Sequence, residues 1–145
     1  MKTIHHVVDM EAQPTTIWSA LTEQRGLAGW WSRHVRGDGA SAGDRIEFTF
    51  GGDFNPTMEV RTHEPLTELE WQCVGGHEPW AQGMFRFRLV PLDDERTRVR
   101  FWQDYAVELS DDLYSTYNFN WGYYLESLRL LCTTGAGKPF VPPTR

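Results

Sequence analysis

The chain has 145 residues, 40% hydrophobic and 23% charged, with a formal net charge of −6 at pH 7. That balance excludes a disordered or fibrous polypeptide, and the acidic excess excludes nucleic acid held by bulk charge. No apolar run approaches the ~20 residues of a membrane span, so the chain reads as a single domain over residues 1–145.

Residues 2–9 alternate Ile4, His6 and Val8 against His5, Val7 and Asp9, the pattern of a strand. Pro14 opens a helix where its missing N–H costs nothing, with Ile17, Trp18, Ala20 and Leu21 as the apolar stripe. Gly26 is the expected interruption before a second short helix over Leu27 to Trp31. Residues 36–44 are a loop by composition, placed to act as a lid. From residue 45 the period becomes two. Ile46, Phe48 and Phe50 share one face, then Met58 and Val60, then Leu69, Trp71 and Cys73. Phe85, Phe87 and Leu89 follow, then Val99, Phe101 and Gln103. Asp111 or Asp112 is placed to cap a last helix whose apolar face carries Tyr117, Trp121, Tyr124, Leu125, Leu128, Leu131 and Cys132. Gly135 ends it.

The order is strand, two helices, five strands, long helix. The predicted class is α+β, a helix-grip: a curved antiparallel sheet wrapped around the C-terminal helix, with the two short helices closing one end. One helix cannot fill a strongly curved sheet, so a cavity is expected. Seven Trp, five Tyr and eight Phe supply its walls. The expected lining is Trp31, Phe48, Phe50, Met58, Trp71, Phe85, Phe87, Phe101, Gln103, Tyr117, Trp121 and Tyr124.

Two stretches carry a family resemblance. Pro14-Thr-Thr-Ile-Trp18-Ser-Ala-Leu-Thr22, with Leu27-Ala-Gly-Trp30-Trp31, resembles the start of the START-like helix-grip (SRPBCC) superfamily. The run from Trp121 through Leu125 and Leu128 to Gly135-Ala-Gly137-Lys-Pro139-Phe140 is similar to the branch of activator of Hsp90 ATPase homologues. The resemblance implies the helix-grip fold across essentially the whole chain. It implies no single activity, since the superfamily holds lipid and hormone carriers, polyketide cyclases and chaperone activators.

Specific chemistry is sparse. His5, His6, His34, His63 and His77 form no H-x3-H or H-E-x-x-H arrangement, so no metal and no cofactor is expected; His63 and His77 read as solvated. The glycines from Gly37 to Gly43 lack the strand-then-helix context of a dinucleotide loop. Arg86, Arg88, Arg98 and Arg100 fall on the outer sheet face near Glu68 and Glu70, an ion-pair lattice rather than a polyanion site. Cys73 and Cys132 read as packed, inert thiols. With no signal-peptide core in Met1–Asp9, the expected location is the cytoplasm.

Three functions follow as expectations. The first is binding of a small hydrophobic or aromatic molecule in the cavity. The second, implied by the resemblance, is a chaperone (Hsp90-type) partner using an outer surface; Phe119, Tyr123 and Leu130 on the last helix would serve that or a homodimer. The third is a polyketide cyclase-like enzyme, for which Gln103, Tyr105, His34, Asp53 and Tyr124 are the only nominees. No inward pair of carboxylates is present, so the chain leans away from catalysis.

Overall fold

The computed structural model describes residues 2–143. Strand β1 (Thr3–Met10) leads into helices α1 (Pro14–Thr22) and α2 (Gln24–Trp30). Strands β2 (His34–Arg36), β3 (Arg45–Thr49), β4 (Thr57–Glu64), β5 (Glu68–Gly75), β6 (Met84–Pro91) and β7 (Thr97–Asp104) follow, then helix α3 (Asp111–Thr134). All seven strands form one antiparallel sheet in the order β1-β7-β6-β5-β4-β3-β2. The meander thus runs from β2 to β7, and the first strand, β1, pairs with β7, so that β1 and β2 are the two edges of the sheet. No helix among the described residues is long and apolar enough to cross a membrane.

The two-residue period sets the faces as expected. Ile46, Phe48, Met58, Val60, Leu69, Trp71, Cys73, Phe85, Phe87, Leu89, Val99, Phe101 and Gln103 are all buried on one face of the sheet, and α3 buries Tyr117, Trp121, Leu125 and Leu128. Outside, Arg88 pairs Glu68 at 2.9 Å, Arg86 approaches Glu70 at 3.7 Å and Arg98 pairs Asp9 at 2.7 Å. The Arg86 and Arg88 guanidiniums also lie over the Trp102 ring, which stacks on His5. Arg88 and Arg98 are thus paired within the sheet face, while Arg86 leaves its buried Nε without a partner.

Four local expectations change. The three-residue strand β2 is too short for a period to reveal. The chain breaks between α1 and α2 at Glu23, in extended backbone (φ −95°, ψ 141°). Gly26 lies inside α2, where a Cβ would sit 2.5 Å from the Ala20 Cα, so it serves helix contact rather than interruption. Ser110, not an aspartate, caps α3 by accepting from Leu113 N at 3.2 Å; Asp111 and Asp112 occupy the first turn, where the helix dipole favours them. Finally, the loop after β2 is no lid: Gly39 N donates to Thr22 O and Gly43 N to Val60 O, pinning it to α1 and β4.

Candidate functional site

The concave side is mostly solid. Trp31, at the end of α2, is the hub of its filling. Its ring lies 5.9 Å from Trp30, 6.1 Å from Trp71, 6.1 Å from Trp80 and 5.1 Å from Trp121, each stacked, with Phe48 at 4.5 Å edge-on. Rings of this size fill most of the curved sheet, and one end stays open. There a cleft of about 380 Å³ is lined by Trp31, Phe50, Gly51, Phe54, Trp80, Tyr117, Asn120, Trp121, Tyr124 and Phe140.

Of the expected lining, Trp31, Phe50, Tyr117, Trp121 and Tyr124 are brought together at this cleft. Phe48, Met58, Trp71, Phe85, Phe87, Phe101 and Gln103 point inward as expected, but the structure packs them behind the cleft wall, each no more than 1% exposed. Phe54, Trp80, Asn120 and Phe140 are wall residues that the strand pattern did not nominate. Three of them come from segments without a period: the β3–β4 turn, a 3-10 turn at Glu78–Trp80, and the strap after α3.

Each of those segments is tied down. In the first turn the Asn55 side chain accepts from Phe50 N at 3.1 Å and Gly51 N at 2.9 Å, and donates to Gly52 O. Asn55 N donates to Gly76 O at 2.9 Å, fastening this turn to the one that carries Trp80. The strap is held by Ser127, whose hydroxyl donates to Trp30 O at 2.8 Å and accepts from Lys138 N at 2.6 Å. Phe140 N then donates to Trp31 O, and Arg33 N to Phe140 O, setting the Phe140 ring against Phe50.

His77 is a further correction: it is half-buried rather than solvated. Its Nδ1 lies 3.1 Å from the Asp53 carbonyl and its Nε2 2.7 Å from the Tyr117 hydroxyl. His63 is half-buried too, edge-on to Trp18. Of the catalytic nominees, His34 is exposed on β2 and Asp53 is exposed beside the cleft, outside its wall. No group of three or more His, Cys, Asp or Glu able to hold a metal ion occurs among the described residues.

Behind Trp80 lies a small polar cluster. Trp121 Nε1 donates to Gln103 Oε1 at 2.7 Å, wholly buried. Gln103 Nε2, Trp80 Nε1 and the Tyr105 hydroxyl are buried without a protein partner at hydrogen-bonding distance. Burial pushes the Tyr105 phenol well above its ordinary range, while the nearby Trp80 and Gln103 N–H groups act the other way. Burial also raises Tyr117, helped by the Asp53 charge, and Tyr124. All three phenols stay neutral at physiological pH. Gln103→Leu keeps volume but strands the Trp121 N–H, so an unfolding free energy lower by about 1–3 kcal/mol is expected in urea titration; an unchanged midpoint would show the bond to be dispensable.

Cys73 is buried and Cys132 half-buried. Burial raises each thiol, Cys132 to about 12, with a bond to Gly75 O partly offsetting the shift at Cys73. At pH 8 the thiolate fraction of Cys132 is then on the order of 10⁻⁴. Native protein should therefore react with a disulfide reagent far more slowly than protein in urea. Reaction of either thiol at the rate of a free cysteine in the native state would contradict this.

The curved sheet gripping one long helix, with an aromatic cleft left between them, defines a helix-grip protein of the START-like superfamily. The model of the family described as activator of Hsp90 ATPase homolog 1-like protein matches residues 11–132. The chain belongs to that family. It is 30% identical to the Aha1 of Colwellia psychrerythraea, whose dimer structure in solution superposes with a TM-score of 0.83 over 94% of this chain and 100% of that one. DynU16, a protein in the dynemicin biosynthetic locus, is 19% identical with a TM-score of 0.77, over 94% of this chain and 49% of that one. Norcoclaurine synthase from Thalictrum flavum, in complex with dopamine and hydroxybenzaldehyde, is 18% identical with a TM-score of 0.56, over 72% and 68%. The last two likenesses show the fold alone. No curated protein sequence matches the chain significantly.

Proposed function

We propose that the chain acts as one domain binding a small, flat, apolar molecule in the cleft between the sheet and α3. The observation that carries this reading is the wall itself: Trp31, Trp80 and Trp121 present near-parallel indoles (14° to 29°) beside Phe50, Phe54 and Phe140. A space of about 380 Å³ lies at the small end of the ~300–1,000 Å³ range of small-molecule sites, which suits one or two fused rings. An indole-sized bicycle offers about 250 Å²; at ~25 cal/mol per Å² its burial contributes about 6 kcal/mol, so dissociation constants of tens of micromolar set the scale. No carboxylate lines the cleft among the described residues, which favours binding over cyclase-like catalysis. The norcoclaurine synthase structure, of the same fold, is in complex with dopamine and hydroxybenzaldehyde, which supports a small-aromatic ligand.

Native mass spectrometry of freshly purified protein, followed by titration of tryptophan fluorescence with bicyclic aromatics, tests the proposal. An adduct lost on denaturation, or saturable quenching at micromolar ligand, is the expected result. A clean spectrum together with no saturation by any aromatic would remove it.

A second reading concerns the outer face of α3, where Phe119 is 74% and Tyr123 48% exposed, one turn apart. The dimer of the Colwellia relative supports a homodimer, and this exposed apolar face is the surface we nominate for it. Light scattering of wild type and Phe119→Asp separates the states: a dimer that the charge dissociates supports it, a monomeric wild type ends it. A pull-down with Hsp90 tests the chaperone alternative.

A further inference from the structure

Within the proposed cleft, one wall residue is committed in the sense of its hydrogen bond. Tyr117 belongs to the wall, and its hydroxyl is also the partner of His77 Nε2 at 2.7 Å. The other ring nitrogen, Nδ1, lies 3.1 Å from the Asp53 carbonyl. A carbonyl only accepts, so Nδ1 carries the proton; in a neutral imidazole Nε2 is then the acceptor. The Tyr117 O–H must donate to it, and what the phenol oxygen retains is two lone pairs. Three elements hold the arrangement. The β3–β4 turn supplies Asp53 and sets Phe54 tilted by 54° against the imidazole at 4.5 Å, the 3-10 turn sets Trp80 edge-on at 5.4 Å, and α3 brings Tyr117 edge-on at 5.9 Å. The phenol is 8% exposed and raised above its ordinary range, so it remains a neutral hydroxyl.

From this geometry we infer that the cleft selects aromatic ligands that carry a hydrogen-bond donor, an aryl hydroxyl or N–H, over ligands that offer only an acceptor. The donor meets the Tyr117 oxygen, whose own proton is taken up by His77. Asn120, also in the wall and three residues further along α3, carries both donor and acceptor on its amide and fits either kind of ligand. Tyr117 therefore decides the preference. The inference rests on the cleft being a ligand site.

Equilibrium dialysis at pH 8, where a free imidazole is neutral, tests it with three probes of one ring system: naphthalene, 2-naphthol and 2-acetylnaphthalene. The expected result is that 2-naphthol binds about fivefold more tightly than 2-acetylnaphthalene. In Tyr117→Phe that ratio falls to within about twofold, with far-ultraviolet circular dichroism showing that the variant is folded. In His77→Leu the freed phenol donates to the ketone and the ratio narrows or reverses. Equal binding of 2-naphthol and 2-acetylnaphthalene by wild type, or a preference that survives Tyr117→Phe, overturns the inference and leaves the cleft reading standing. Failure of all three probes to bind, together with a clean native mass spectrum and no saturation by any other aromatic, overturns the cleft reading and takes this inference with it.

Discussion

Replacing Trp31 by alanine is expected to lower the unfolding free energy by about 3–5 kcal/mol, the range for truncating a buried large aromatic. Trp31 is 2% exposed and touches rings from α2, β3, β5, the 3-10 turn and α3. Each aromatic pair adds something beyond area burial, and the void left by an indole cannot close when its neighbours are themselves rigid. Against a total stability of about 5–15 kcal/mol, the variant sits near the edge of folding. The urea midpoint reads the loss, and the near-ultraviolet circular dichroism reads the disordering of the remaining indoles. Trp31→Phe, which keeps a ring at the hub, should lose less than half as much. A Trp31→Ala protein of wild-type midpoint would mean that the stack contributes nothing to the fold, and the account of the core given above would fail.

The second large effect is expected at Gly76, where alanine should cost about 2–6 kcal/mol. Its φ of +86° disfavours any side chain, and a Cβ there would lie 1.8 Å from the Asn55 carbonyl oxygen. Backbone strain and forced displacement each contribute about 1–3 kcal/mol. The displaced partner is the turn that carries Asp53 and Phe54, so the change should weaken ligand binding as well as stability. Gly75 is the built-in control: a Cβ there meets nothing within 4 Å, and Gly75→Ala should shift the urea midpoint only slightly. If the two substitutions behave alike, the close approach at Gly76 is not what shapes the cleft rim.

Much of the fold was legible because one physical rule covers it. A sheet buried on one face must alternate, and Ile46, Trp71, Phe87 and Val99 do so in plain view. The long helix announces itself by its 3–4 spacing and by Gly135 at φ +88°. The candidate site was legible only in part. Alternation says that Phe48, Phe85 and Phe101 face inward, but not whether they meet another ring or open space; that depends on how Trp31 and Trp121 divide the volume. Trp80, Phe54 and Phe140 sit in segments whose conformation is set by single hydrogen bonds, such as those of Asn55 and Ser127, and no period marks them. The His77–Tyr117 bond joins residues 40 apart in sequence, with no local pattern to foretell it.

The strap that ends at Phe140 has a consequence for the order of events during synthesis. Phe140 is the last wall residue to leave the ribosome, after every strand and helix of the described fold. Without the parallel bridge of Phe140 to Ser32 and its bond to Trp31, the Phe50 ring that it packs against would lose its cover on that side. Among the described residues, the wall of the cleft is thus completed by the segment made after the helix that forms its other side.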